Sequence, residues 1–207
     1  MVLAKPDKTI DPRLLSCAKE VFLEQGFEKA STNVICKKAG VTTGALFKRY
    51  ATKEDLFHAI VEPVAEDFKH MLFVQKQEFE ELPKEKKKEE VFSFDTFNFV
   101  DYVYEHFDVF QLLLEGSKGT KYEAYLEELV EIFTVSITDF MKATGSKALI
   151  LGKDVSPELL HILTRAYLTG LFEPVLHNME KSAAEKYTEQ INYFFSKGWA
   201  DIFGINM

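Results

Sequence analysis

Apolar residues recur along this chain at three- and four-residue spacings, the period of helices with one buried face. Leu14, Ala18, Val21 and Phe22 form the first such stripe. Asp11-Pro12 opens it, a cap followed by a proline suited to the first helical position, and Gly26 closes it ahead of a core Phe27. Val34, Ile35, Cys36 and Ala39 give a shorter apolar face behind the capping hydroxyls of Ser31 or Thr32. Gly40 suits the left-handed backbone that ends a helix, and Val41 reads as the buried pin of the turn. Thr42 or Thr43 then caps a third helix, which carries Ala45 and Leu46 inward and Lys48 and Arg49 outward. Thr52-Lys53-Glu54-Asp55 has the spacing of a capping box. It opens a long helix through Leu56, Phe57, Ile60, Val61, Val64, Phe68 and Leu72, with Pro63 inside it as a candidate bend. Residues 76–90, with Pro83 and the run KEKKKEE, read as a solvated charged connection.

In VFSFDTFNFVDYVYEHF, Phe92, Phe94, Phe97 and Phe99 alternate as a strand would, but no partner strand is predicted and the neighbours are helical. The segment is therefore read as a buried helix. A short helix over 106–115 ends at Gly116, and Thr120-Lys121-Tyr122-Glu123 is a second capping box. It opens a helix to about Lys142 with Leu126, Leu129, Val130, Phe133 and Ile137 inward, and Gly145 and Gly152 bracket the loop that follows. Ser156-Pro157 and the box Ser182-Ala183-Ala184-Glu185 open the last two helices. Both are apolar on more than one face: Leu159, Leu163, Ala166, Tyr167, Leu171 and Val175 in one, Tyr187, Ile191, Phe194, Phe195, Trp199 and Ile202 in the other. A helix with one core to satisfy needs a single stripe, so this coverage predicts a second helical partner. The fold class is all-α, with about nine helices.

The first chemistry lies in residues 31–50. Two short helices joined by a glycine turn make a helix-turn-helix, whose second helix enters the DNA major groove. The run from Gly26-Phe27 through Ala39-Gly40-Val41 to Gly44-Ala45-Leu46-Phe47 and Lys53-Glu54-Asp55-Leu56 resembles the amino-terminal domain of tetracycline-repressor-like (TetR) bacterial regulators. The resemblance covers about residues 10–60 without a gap. It departs from the family at Phe47, where an aromatic hydroxyl is usual, and at Arg49, where His or Tyr is common. It implies a helix-turn-helix head over 1–51, and a helical ligand-binding and dimerisation body over 52–207. The last two helices would then pair with their copies in a homodimer.

Charge becomes informative once divided. The net −8 combines +3 over residues 1–56 with −11 over 57–207, a basic head on an acidic body. Salt screens attraction beyond about 10 Å, so the local surplus is what DNA feels. Cys17 and Cys36 lack metal-ligand spacing and read as free thiols, with no metal or cofactor expected. No apolar run approaches the roughly 20 residues of a membrane span, and MVLAKPDKTIDP lacks a signal peptide's apolar centre, so a cytoplasmic location is expected.

The function expected is a DNA-binding transcriptional regulator, a repressor released from a pseudo-palindromic operator by a small hydrophobic effector. The alternative is a helical enzyme or lipid-binding module with a structural head. The enzyme reading needs a nucleophile with its base, a metal set or paired carboxylates, and Glu173 with His161 is the nearest approach. Thr42, Thr43, Gly44, Lys48 and Arg49 are expected at the groove, with Asn33, Phe47 and Lys53 at its rims. Lys48 is the candidate for a guanine edge and Lys53 for a phosphate. Phe97, Tyr102, Phe107, Phe110, Phe133 and Tyr167 fit a packed core or an effector cavity, and the resemblance implies the cavity. His161, Arg165, Thr169, Glu173 and His177 recur every four residues as a polar seam.

Overall fold

The computed structural model describes residues 10–90 and 96–205. Among them the elements run α1 (Ile10–Lys29), α2 (Thr32–Ala39), α3 (Thr43–Phe47), α4 (Lys53–Glu81), α5 (Lys84–Glu90), α6 (Thr96–Glu105) and α7 (Phe107–Gln111). A π-helical turn, Leu112–Gly116, leads to α8 (Tyr125–Thr144), the strands β1 (Leu149–Ile150) and β2 (Lys153–Asp154), α9 (Pro157–Leu176) and α10 (Lys181–Phe203). The all-α class read from the sequence is what the chain adopts.

Two compact units share these elements. The first runs through Glu66 and adds Asp108–Glu123, so it is larger than the head expected to end at residue 51. Its core takes Leu14, Ala18, Val21 and Phe22 from α1, Ile35, Cys36 and Ala39 from α2, Leu46 from α3, and Leu56 and Phe57 from α4. Phe57 sits edge-on to Phe22 at 5.1 Å and to Phe27 at 5.3 Å between ring centres. Gly26 has φ 70, which breaks α1 just before Phe27 turns into this cluster. The Ser117 hydroxyl is buried, donating to the Leu113 carbonyl at 2.9 Å and lying 3.1 Å from that of Tyr122. Thr52 and Asp55 exchange the two bonds of a capping box, Thr52 N–H to the carboxylate at 2.9 Å and Asp55 N–H to the hydroxyl at 3.0 Å.

The second unit holds Asp67–Phe107 and the chain from Ala124 onward. One core group joins Phe68, Phe99 and Phe172, with ring centres 5.4–6.3 Å apart. Another joins Phe140, Ala148, Leu160, Trp199 and Phe203. Trp199, read from the sequence as part of an intersubunit seam, is thus a core residue of the monomer, 7% exposed and stacked on Phe203 at 5.9 Å.

Several elements differ from the sequence reading, each for a local reason. α4 continues through 76–81, where polarity predicts a connection, because Lys76 pairs with Asp139 at 2.8 Å and Phe79 meets Phe140 at 6.2 Å. KEKKKEE is itself the helix α5. Thr120 and Glu123 close a turn instead of capping α8: the Thr120 hydroxyl donates to the Ser117 carbonyl, and Glu123 accepts from Gly119 N–H. α10 begins after Glu180, and Ser182 is not its cap. The loop between Gly145 and Gly152 contains a small antiparallel hairpin, Leu149 opposite Asp154. Its two-residue turn places both Leu151 (φ 52) and Gly152 (φ 75) in left-handed backbone, a conformation leucine does not advertise. Phe92 and Phe94 lie outside the described residues.

Candidate nucleic-acid interface

The turn between α2 and α3 is built from backbone chemistry. Gly40 ends α2 at φ 64, ψ 35, its N–H reaching the Lys37 carbonyl at 3.3 Å while Val41 N–H reaches that of Cys36 at 3.0 Å. This paired closure satisfies the last carbonyls of α2 and redirects the chain. The Thr42 hydroxyl accepts from Ala45 N–H at 3.1 Å and so caps α3. Ser31, at the corresponding place before α2, makes no side-chain cap. Leu46 is fully buried, which leaves Thr42, Thr43, Gly44, Phe47 and Lys48 exposed around the rest of α3. Asn33 is exposed on α2. Val34, read as part of the inner face of α2, is 44% exposed.

Two cations expected at DNA are engaged within the chain. Lys53 Nζ donates to the carbonyls of Phe27, Glu28 and Ala30 at 2.7, 3.2 and 3.2 Å and lies 4.4 Å from the Phe27 ring centre. All three ammonium N–H bonds thereby serve the carbonyls at the carboxy-terminal end of α1, where a cation suits the helix dipole. Arg49 Nε lies 2.5 Å from Asp11 Oδ1, and its Nη1 donates to the Ala45 carbonyl at 3.1 Å. Spacing along α3 cannot reveal these partners, because they come from a different helix or from backbone oxygens.

The remaining cations of this unit divide cleanly. Lys38 pairs with Glu20 at 2.7 Å, Lys19 with Asp108 at 2.8 Å and Lys118 with Glu28 at 3.4 Å. Lys121 lies 2.5 Å from His58 Nε2 and 3.5 Å from Glu62. Glu20's hydrogen bond to Lys38 is the main reason that ammonium holds its proton more tightly than usual. Among the described residues Arg13, Lys29, Lys37 and Lys48 have neither an ion pair nor a hydrogen bond through the side chain. Lys37 was not among the expected contacts, although it stands four residues after Asn33 and so on the same face of α2.

Residues 14–60 match the family described as bacterial regulatory proteins, tetR family. Residues 14–60 are therefore a TetR-family amino-terminal domain. The HTH-type transcriptional regulator UidR of Escherichia coli K12 is 26% identical over 189 residues, 86% of this chain and 83% of that protein. A transcriptional regulator of the TerR/AcrR family from Aquifex aeolicus VF5 has the same fold, with a TM-score of 0.58, 20% identity, and coverage of 89% of this chain and 99% of that one. CifR, a TetR family regulator solved with a 26bp double-strand operator DNA, aligns with a TM-score of 0.53 and 16% identity, over 93% of this chain and 98% of that one.

The six aromatic candidates for an effector cavity are dispersed. The Tyr102 hydroxyl donates to Asp67 at 2.9 Å, and burial, then Asp67, push its proton affinity up. Tyr167 is buried, its hydroxyl 2.9 Å from Asn192 and its ring 5.1 Å from Phe195. Phe107 meets Tyr104 at 5.2 Å, Phe133 is half-buried on α8, and the side chain of Phe97 lies outside the described residues. Phe110 is fully buried in the first unit, whereas Tyr102, Phe107, Phe133 and Tyr167 belong to the second. An open groove of about 440 Å³ lies instead between α4 and α8, lined by Lys69, Leu72, Phe73, Lys76, Glu128, Glu131, Ile132 and Val135. The polar seam of α9 is engaged within the chain: Arg165 pairs with Glu127, His161 Nε2 lies 3.1 Å from the same carboxylate, and His177 Nε2, just past the helix, lies 2.9 Å from Glu173. Among the described residues no cluster of three or more His, Cys, Asp or Glu is placed to hold a metal ion, and no helix is long and apolar enough to cross a membrane.

Proposed function

We propose that this chain is a DNA-binding transcriptional repressor that meets a pseudo-palindromic operator as a homodimer and releases it when a small hydrophobic effector binds. The observation that carries the reading is the exposed surface of the helix-turn-helix: Thr43, Gly44, Phe47 and Lys48 on α3 beside Asn33 and Lys37 on α2. Thr42 turns its hydroxyl oxygen toward its own helix and contributes to the groove face through its position at the start of α3. Lys48 is the candidate for a base edge and Lys37 for a phosphate, both being exposed and unpaired among the described residues. The operator complex of CifR supports the same use of this fold.

Dimerisation is supported by apolar side chains that the monomer leaves in water. Ile162 is 58% exposed and Leu159 38% on α9, and Tyr193 and Phe194 are 66% and 71% exposed on α10. A second copy of the same helix pair covers such a face isologously, and would set two recognition helices about 34–36 Å apart. For the effector, the α4–α8 groove supplies an apolar floor of Leu72, Phe73, Ile132 and Val135, and the candidates Tyr102, Phe107, Phe133 and Tyr167 lie in the same unit. An effector releases DNA only by as much as it prefers the non-binding conformation, about 1–3 kcal/mol.

Selection of duplexes from random DNA, followed by gel shifts across salt concentrations, tests the reading. A palindromic consensus with salt-dependent affinity supports it, and absence of any enriched duplex refutes it. Titrating a fluorescent apolar probe with and without the selected duplex then tests the coupling, since DNA must weaken the probe by the factor by which the probe weakens DNA.

A further inference from the structure

The recognition helix is anchored by very little. α3 has five residues, too few for stability of its own, and Leu46 is its one buried side chain. A single buried pivot leaves rotation about that pivot undetermined. Thr42 holds the amino-terminal end through Ala45 N–H, and something must hold the other.

We propose that Arg49 is a positioning residue for α3: bridging the Ala45 carbonyl and Asp11 in the first turn of α1, it sets the angle at which the helix meets DNA and does not itself touch phosphate. This inference rests on reading the head as a DNA-binding unit. One guanidinium edge reaches Asp11 at 2.5 Å and another the Ala45 carbonyl at 3.1 Å, so a single planar group ties the end of α3 to the start of α1. The Arg49 side chain is only 22% exposed, whereas Phe47 and Lys48 stand open to solvent. Asp11 Oδ1 is closed off from water and accepts no hydrogen bond, so the contact with Arg49 is an ion pair, made from a carboxylate whose side chain is otherwise 51% exposed. Tyr50 belongs to the same joint: burial first, then Asp11, make its hydroxyl harder to ionise, and Arg49 opposes them. A neutralised and mostly covered cation is a poor phosphate ligand but a good strut. The strut is particular to an arginine, because a lysine presents one ammonium and cannot span both oxygens in a plane.

The test uses the full chain and a duplex selected by the wild-type protein, with log affinity plotted against log salt for each variant. Failure of the wild type to select any duplex would overturn the DNA reading itself, whatever Arg49 does. Given a selected duplex, Arg49→Gln and Asp11→Asn are both expected to lose on the order of tenfold in affinity, with the salt slope unchanged. The double variant should be no weaker than either single one. The Asp11 result is the sharper, because removing a carboxylate near phosphates by charge alone tightens binding. The inference is overturned if Arg49→Gln lowers the slope by about one counterion, or if Asp11→Asn binds as well as the wild type or better. Far-UV circular dichroism checks the fold of each variant. If Arg49→Gln does not fold, Arg49→Lys decides: it keeps the charge, so a strut predicts weaker specific binding and a phosphate contact predicts full affinity.

Discussion

At position 53 a lysine ammonium is divided among three backbone carbonyls, and that arrangement changes what the residue is for. Lys53→Met removes the donors and leaves partly buried carbonyls unsatisfied. Denaturant unfolding should report a loss of about 1–3 kcal/mol, with the salt slope of DNA binding unaltered. Gly44 presents the opposite case. A Cβ there would meet only the Thr42 hydroxyl oxygen at 4.0 Å, and the backbone needs no left-handed angle. The protein therefore gives no internal reason for glycine in α3. Gly44→Ala should stabilise the head by up to about 1 kcal/mol in thermal melts while weakening DNA binding in gel shifts, because the added methyl stands where the helix must approach the groove. The glycine turn at Gly40 and the buried Leu46 were both legible from spacing. The partners of Lys53 and Arg49 were not, since they come from α1 or from main-chain oxygens that a residue pattern does not display.

At the scale of elements, three Thr- or Ser-initiated boxes looked alike in sequence and one caps a helix. Thr52 and Asp55 exchange both bonds, so Thr52→Ala should cost about 1 kcal/mol by chemical denaturation. Ser182→Ala should stay within about 0.5 kcal/mol, because α10 starts one residue earlier and no side chain caps it. The length of α4 depends on α8. Lys69 meets Glu128 at 2.7 Å and Lys76 meets Asp139 at 2.8 Å, contacts that keep a polar stretch helical. The Asp139 carboxyl is held below the usual carboxylate range, mainly by its hydrogen bond from Lys76. A carboxylate with a lowered folded value contributes stability fully above its unfolded value near 4, and loses it as pH falls through the lower folded one. Solvent screens this pair, so Asp139→Asn should cost less than about 0.5 kcal/mol at neutral pH, and the cost should vanish in acid once the Asp139 carboxyl is protonated in the folded protein, as urea melts across pH would show.

For the whole molecule, the division between core and exposed apolar surface separates residues that the sequence grouped together. Trp199 and Phe194 lie on the same helix, both in its broad apolar coverage. Trp199 is packed with Phe140, Leu160 and Phe203, so Trp199→Asp should unfold the body and abolish the cooperative melt. Phe194 is 71% exposed in the monomer, so Phe194→Asp should leave the helical spectrum intact and yield monomers by light scattering. A Phe194→Asp protein that stayed dimeric would move the interface away from α9 and α10. Loss of the dimer should also weaken operator binding far more than binding to a half-site, because the second recognition helix is no longer held in register.

What the sequence determined by itself is whatever local chemistry dictates: helical periods, the glycine that ends α2, the caps of α3, α4 and α9, and a head whose motif spacing is continuous along the chain. These depend on residues within a few positions of one another, so a linear reading contains them. Tertiary structure alone decided which of two apolar faces is core, how far α4 runs, and which cations remain available to DNA. Each of those turns on a partner distant in the chain, Asp139 for Lys76, Asp11 for Arg49, the cluster of Phe140 and Leu160 for Trp199, and a charge or an apolar face acquires its role only when that partner has arrived.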